Sequence, residues 1–417
     1  MLVIAFTALP LFDVPGIGIS ITAPLVYFIA IELLLGRSRK GINVQGWTLC
    51  LVVIGLGIFA SSIMTGLSDN ENGFTGKDTI YLIRYSYWLL ASFVSMKLIS
   101  KKPQLGMSVV KVAVWATFIL VLCRWFEGIV WGKVGAWSHT KILTENAYAF
   151  IFSTFGAMFI SLTLISKGRK RLIYSALTAV LWGAIFINGS RSCWITTTFS
   201  LCAFVGMRYL VNPLNIKTYI KVATALTLII IAGLASFYYL PDSAKESFIS
   251  RFSTFEKLDT DKSYQIRVLM QTKAKKIFAQ SPVWGCGPAR FKRTKVYLEI
   301  PKVLSYGGQE KFMYRSSHNS YLQFLAETGI VGNVPYYIFL FLLLFKGFFA
   351  SIRMARRKID WPMGVYIGFL TMSLHMWSIS ALTNTHVWVM YGMVAITISI
   401  DHAMKKAERR EGIVKRF

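Results

Sequence analysis

Three side chains stand where chemistry could be done. His318 lies in Ser316-Ser317-His318-Asn319-Ser320-Tyr321, at the opening of a short segment with Ser and Asn caps at its start and Gly329 at its end. At a helix N-terminus the positive end of the dipole disfavours imidazolium and leaves a neutral imidazole able to take a proton near pH 7. The competing reading is a structural histidine. Arg191 lies in Asn188-Gly189-Ser190-Arg191-Ser192, a turn between two apolar runs. A guanidinium there either snorkels to the interface or presents its two-pronged fork to a phosphate at headgroup depth. Arg267 follows Ile266 in an amphipathic stretch, near the boundary of its apolar and cationic faces. It is a solvated or headgroup-facing cation, or, if it converges with Arg191, the second arm of a clamp with enough charge for a diphosphate.

Other chemistries find little support. No pair of His, Asp, Glu or Cys stands at zinc-ligand spacing in the inter-span segments, and Asp259 with Asp261 reads as a solvent-type acidic turn. The expectation is no metal and no cofactor. A nucleophile elbow, a Walker loop and a Gly-x-Gly-x-x-Gly fingerprint are missing, so nothing points to ATP. Glu32, Arg84, Lys111 and Arg124 fall within apolar runs, where they mark an ion pathway or play a structural part.

The elements that must position these groups follow from composition. The 417 residues are 54% hydrophobic and 16% charged, against about 25% charged in a soluble chain, which excludes an ordinary soluble enzyme. A net charge of +27 in one patch would suggest nucleic acid, but 24 of the 46 basic residues fall in six short clusters between apolar runs. That distribution is topological, and no nucleic-acid partner is expected. A membrane-length window finds twelve runs, near 1–12, 17–36, 45–66, 79–99, 105–126, 146–166, 172–188, 193–211, 220–240, 330–350, 361–380 and 387–403. The first reads as a short or half-inserted span rather than a cleavable leader. The positive-inside rule places the basic clusters and both termini in the cytoplasm. Five cysteines suggest no disulfide framework.

The expectation is therefore an all-α polytopic membrane protein in three parts: spans one to nine in 1–240, a large outer loop over 241–329, and spans ten to twelve with a basic cytoplasmic tail in 330–417. The loop carries 15 Lys+Arg against 8 Asp+Glu. Within it, Ser263 to Gln280 puts Ile266, Leu269, Met270, Ala274 and Ile277 at helical spacing. This predicts an amphipathic helix lying on the membrane or packed over the spans. Ser281-Pro282 ends it, Gly285-Cys286-Gly287-Pro288 reads as a tight loop, and Ser316 to Gly329, with Ser/Asn caps at its start, reads as a short helix running into the tenth span.

This layout, with Asn-Gly-Ser-Arg-Ser at an outer turn, Gly285-Cys286-Gly287-Pro288 in the loop and Ser317-His318-Asn319-Ser320-Tyr321-Leu322-Gln323 running through Glu327-Thr328-Gly329, resembles the bacterial O-antigen ligase family. The layout matches over nearly the whole chain, and the motifs concentrate in 188–194 and 263–332. The resemblance implies a GT-C-type glycosyltransferase that moves O-antigen from undecaprenyl diphosphate to the outer-core sugar of lipid A-core. It implies a multi-pass protein of the bacterial inner membrane with its active site facing the periplasm. It further implies that His318 is the catalytic residue, that Arg191 and Arg267 engage the donor diphosphate, and that the reaction inverts the anomeric centre without metal. The loop cations Lys273, Lys275, Lys276, Arg290, Lys292, Arg293, Lys295 and Arg315 then either meet the phosphates of the acceptor or form a solvated basic surface. Arg290, beside the glycine loop, is the acceptor-site candidate. Polymerases of the same superfamily are separated from ligases only by their second sizeable outer loop, since 127–145 is short here. A transporter or flippase of lipid-linked glycan is the reading from another class, and the lack of an internal repeat argues against it.

Overall fold

In hydrocarbon every backbone N–H and C=O must find its partner within its own segment, and helices meet that demand. Among the described residues the chain is all-helical, with no strand. The computed structural model describes residues 23–35, 41–68, 73–130, 145–213, 259–307 and 314–414, together with the single positions 238, 245, 246, 249 and 312. Its α-helices are α1 Ala23–Leu35, α2 Gln45–Ser68, α3 Gly76–Lys101, α4 Leu105–Val130, α5 Glu145–Ile165, α6 Gly168–Asn188, α7 Arg191–Val211, α8 Lys262–Gln280, α9 Ser320–Arg356, α10 Trp361–His375 and α11 Thr385–Val414, with a 3-10 turn at Lys302–Gly307.

Ten of the twelve predicted runs coincide with helices or parts of them, and the run 1–12 and all of 220–240 but Tyr238 lie outside the described residues. Six helices among the described residues are long and apolar enough to cross a membrane: α2, α4, α5, α7, α9 and α11. The others fall short for visible reasons. With 13 residues α1 is short, α3 carries Arg84 and Lys97 among Tyr and Ser side chains within its length, α6 opens on Arg169-Lys170-Arg171, and α10 stops at His375, five residues before the predicted end of its run. The membrane signature is clearest on α2. Its buried side holds Gly57, Ser61, Ser62, Thr65 and Gly66 beside Leu51, Ile54 and Ile58, whereas Leu49, Val52, Val53, Leu56, Phe59, Ile63 and Leu67 are exposed. A continuous apolar stripe of that kind is untenable in water and natural in lipid.

The chain divides into two compact units. The first takes Met1–Val109, Leu258–Ala350 and Met376–Phe417, and the second takes Val110–Lys257 and Ser351–His375. In the first, α3 packs against α11, α1 and α2. Aromatic rings bind these helices to α9: Tyr336 Oη lies 2.8 Å from Tyr391 Oη, and Trp47 meets Phe339 edge-on at 5.9 Å. In the second, α10 packs on α5 and α7, and α5 on α6 and α7. Arg208 closes that unit's ion pair with Asp360 at 2.9 Å.

The predicted amphipathic helix is α8, starting one residue earlier with Asp261 as its N-cap, whose carboxylate accepts from the Ser263 and Tyr264 amides. Its apolar face turns toward its own loop. Leu269 and Met270 pack with Leu298, Leu304 and Phe312, while Ala274 and Ile277 pack with Phe291, Val296 and Ala326. Of the two expectations, a helix lying on the membrane or one packed over the spans, these contacts speak against the first: the stripe is covered by Phe291, Val296, Leu298, Leu304 and Phe312 and by Leu322 and Ala326 in the first turns of α9.

Candidate functional site

The short helix predicted before the tenth span and the span itself form one element, α9, broken at Gly329 by φ 58° and ψ −160°. That region of backbone space is reserved for glycine. The break frees backbone groups, and the glycine loop takes them up. Cys286 N donates to Ala326 O and Gly287 N to Glu327 O, both at 2.9 Å, while Ile330 N donates to Pro282 O at 2.9 Å and Val331 N to Val283 O at 3.2 Å. The two chain segments touch so closely that a Cβ on Gly285 would stand 2.5 Å from Glu327 C, and one on Gly329 would collide with Val283 O. The motifs Gly285-Cys286-Gly287-Pro288 and Glu327-Thr328-Gly329 are thus the two halves of one joint.

Glu327 completes that joint with its side chain. Buried at 2% exposure, it accepts from Ala289 N at 3.0 Å and from Gln323 Nε2 at 2.9 Å. Gln323 Oε1 in turn accepts from Ser317 N at 3.3 Å. One face of α9 therefore carries a polar ladder from the glycine loop to the residue before His318.

His318 has φ 53°, a left-handed conformation uncommon for a side chain of its kind. Its neighbours hold it there. Ser317 Oγ donates to Asn319 O at 2.6 Å, Asn319 Oδ1 caps α9 by accepting from Tyr321 N and Leu322 N, and Ser320 N donates to Met376 O at 2.9 Å. Ser317, Asn319 and Ser320 are buried, and His318 between them is half-buried. Burial first, then the positive charges of Arg267, Arg315 and Lys292, hold the imidazole at about 4, well below its ordinary 6.5. The neutral imidazole expected from the helix dipole is there, with burial and three cations as its cause. Arg267 and His318 are brought together in this way, and Arg315 and Lys292 join them. Such a cluster can accept a proton on the ring and hold an anion on the cations.

Arg290 is engaged elsewhere. Its guanidinium donates through Nε to Asp78 Oδ1 at 3.1 Å and through Nη2 to Asp78 Oδ2 at 2.8 Å and Gly73 O at 2.7 Å, and Arg293 Nη2 reaches Asp78 Oδ1 at 3.3 Å. With Asp78 at 2% exposure, this is a buried ion cluster that pins the glycine loop to the start of α3. Lys273 is likewise withdrawn from the surface, with its ammonium 5.0 Å from the centre of the Phe291 ring. Burial lowers its pKa to about 8.

Arg191 belongs to the second unit, as the first residue of α7 after Gly189 at φ 67°. Around it, His375 accepts or donates at both ring nitrogens, 2.8 Å from Ser153 Oγ and 3.1 Å from Ser192 Oγ. Sequence reasoning gave no role to Gln323, Glu327, Asp78 or His375. Gln323 and Glu327 stand four residues apart on one helix, a signal that was readable, and Thr75-x-x-Asp78 is a readable capping box. Nothing local announces the pairing of Asp78 with Arg290, 212 residues away.

No curated protein matches the sequence. Residues 176–337 match the family profile described as O-antigen ligase, a segment that contains the Arg191 turn, α8, the glycine loop and His318. That family is one of membrane glycosyltransferase-like enzymes acting on lipid-linked polysaccharide, and its match agrees with the six apolar helices of a multi-pass membrane protein. That match supports membership of the chain in the O-antigen ligase/polymerase family.

Proposed function

We propose that the protein is an O-antigen ligase, which transfers the glycan of an undecaprenyl-diphosphate donor to a hydroxyl on the outer-core sugar of lipid A-core. The observation that carries this reading is His318, held in a left-handed backbone by buried neighbours with Arg267, Arg315 and Lys292 around its ring. The acceptor hydroxyl attacks the anomeric carbon as His318 takes its proton. The new C–O bond forms, the bond from that carbon to the diphosphate oxygen breaks, and the diphosphate leaves with the electron pair. Arg267 and Arg191 neutralise the charge that develops on it, and Arg315 and Lys292 add to the field. A single displacement inverts the anomeric centre. The leaving group is already activated, so the reading requires neither nucleotide nor metal. The scaffold is of the GT-C type with twelve spans, and loop 241–329 and the site face the periplasm from the inner membrane. In this reading Arg290 serves the acceptor indirectly, by fixing the glycine loop through Asp78.

The test is product analysis with purified protein, undecaprenyl-diphosphate glycan and lipid A-core in chelator. Glycosylated lipid A-core supports the ligase. A lengthened donor glycan makes the protein a polymerase of the same family, and movement of labelled donor across a bilayer without either product makes it a transporter.

A further inference from the structure

Ser190 is the N-cap of α7, yet its side chain makes no capping hydrogen bond. Its hydroxyl lies 3.1 Å from that of Ser192, which lies 3.1 Å from His375 Nε2. His375 Nδ1 lies 2.8 Å from Ser153 Oγ, which also lies 3.1 Å from Phe150 O. Each hydroxyl can give one proton and accept another, so either ring tautomer completes the chain. The chain runs Ser190 to Ser192 to His375 to Ser153. It fastens the residues on either side of Arg191 to α5 and to the end of α10. Cys193 adds a second tie, donating to Ala149 O at 3.3 Å. His375 itself is 2% exposed and so does not reach a ligand directly.

We propose that His375 is a positioning residue for Arg191: by its hydrogen bond to Ser192 it fixes the first turn of α7, and with it the direction in which Arg191 meets the donor diphosphate. The inference rests on the reading of Arg191 as a diphosphate ligand. It also explains why a serine at an N-cap gives up its usual bond: the hydroxyl is needed for the chain to Ser192.

The test is a double-mutant cycle in the transfer assay, with either glycan product as the readout, using His375→Ala, His375→Gln, Ser192→Ala and Arg191→Ala. His375→Ala and Ser192→Ala each lower kcat/KM for the donor about tenfold, the loss of one buried hydrogen bond on the transition-state path, with acceptor KM unchanged. His375→Gln restores a hydrogen-bonding partner opposite Ser192, whichever atom donates, and stays within about threefold of the parent. In an Arg191→Ala background the further change His375→Ala costs less than about twofold, because its effect passes through the missing arginine. Ser192→Ala carries the test if His375→Ala fails to fold. Full cost of His375→Ala in the Arg191→Ala background, or equal losses for donor and acceptor, overturns the inference. If Arg191→Ala is crippling while His375→Ala and Ser192→Ala are neutral, the inference falls and the diphosphate reading stands. If Arg191→Ala is itself neutral, both fall.

Discussion

Replacing Asp78 by alanine removes the carboxylate that takes two hydrogen bonds from Arg290, at 3.1 and 2.8 Å, and one from Arg293 at 3.3 Å. The same carboxylate accepts from Thr75 N at 2.8 Å and Thr75 Oγ1 at 2.7 Å, so the capping box of α3 goes with it. Arg290, whose side chain is 10% exposed, is left as a buried charge without its main partner. Breaking such a pair costs about 3–5 kcal/mol, and the lost cap about 1 kcal/mol. Against a total stability of about 5–15 kcal/mol, the variant loses a large share. Thermal unfolding in detergent, followed by tryptophan fluorescence, should show Asp78→Ala and Arg290→Ala each melting well below the parent. The pair Asp78→Leu/Arg290→Met should recover most of the loss, since matched apolar side chains leave no buried charge. Two penalties that simply add in the double variant would refute the ion-pair account. So would an Arg290→Ala protein that melts normally but shows raised KM for lipid A-core, which would return Arg290 to the acceptor site.

Three further outcomes follow from the same geometry. Burial alone would push the Asp78 carboxyl up, but hydrogen bonds from Arg290 and Thr75 prevail and hold it at about 2, below its ordinary 3.8. The cluster's stabilisation is therefore complete above 3.8 and fades as pH falls through about 2, and melting curves in acid should lose the difference between parent and Asp78→Asn there. Gly329→Ala forces a side chain into a glycine-only conformation and against Val283 O; it should cost about 3 kcal/mol or more and release the glycine loop, read as faster proteolysis between 281 and 293. In the proposed mechanism His318 is the base and is lost when protonated, so kcat/KM should fall only as pH drops through about 4, and Arg315→Gln should move that limb upward by about half a unit.

The sequence reads well where its signals are local. Asp261 caps α8, Ile266 to Ile277 mark its buried face, and Gly329 marks a break, all visible as spacing or residue type. Composition and charge clusters separate the apolar helices from the loop. What escapes is pairing across distance. Periodicity shows that α8 has an apolar face but not that Phe291, Val296, Leu298, Leu304 and Phe312 cover it, and a basic residue beside a glycine loop looks free until Asp78 is found beneath it. The end of α10 escapes for a related reason: Met376 to Thr383 is apolar enough to extend a span, but Met376 O and Ile379 O are turned to Ser320 instead. His375 looks like an interior histidine in the sequence, and only the approach of Ser153 and Ser192 gives its nitrogens a task.

The central claim is that His318 takes the acceptor's proton while the cations around it hold the diphosphate. Single-turnover transfer from labelled undecaprenyl-diphosphate glycan to lipid A-core, run with His318→Ala beside the parent, tests it most directly, with donor binding measured in the same samples. Donor binding should stay within about threefold of the parent and transfer should slow by about 10²–10⁴-fold, the range of general-base catalysis. Transfer by His318→Ala at the parent's rate would contradict it.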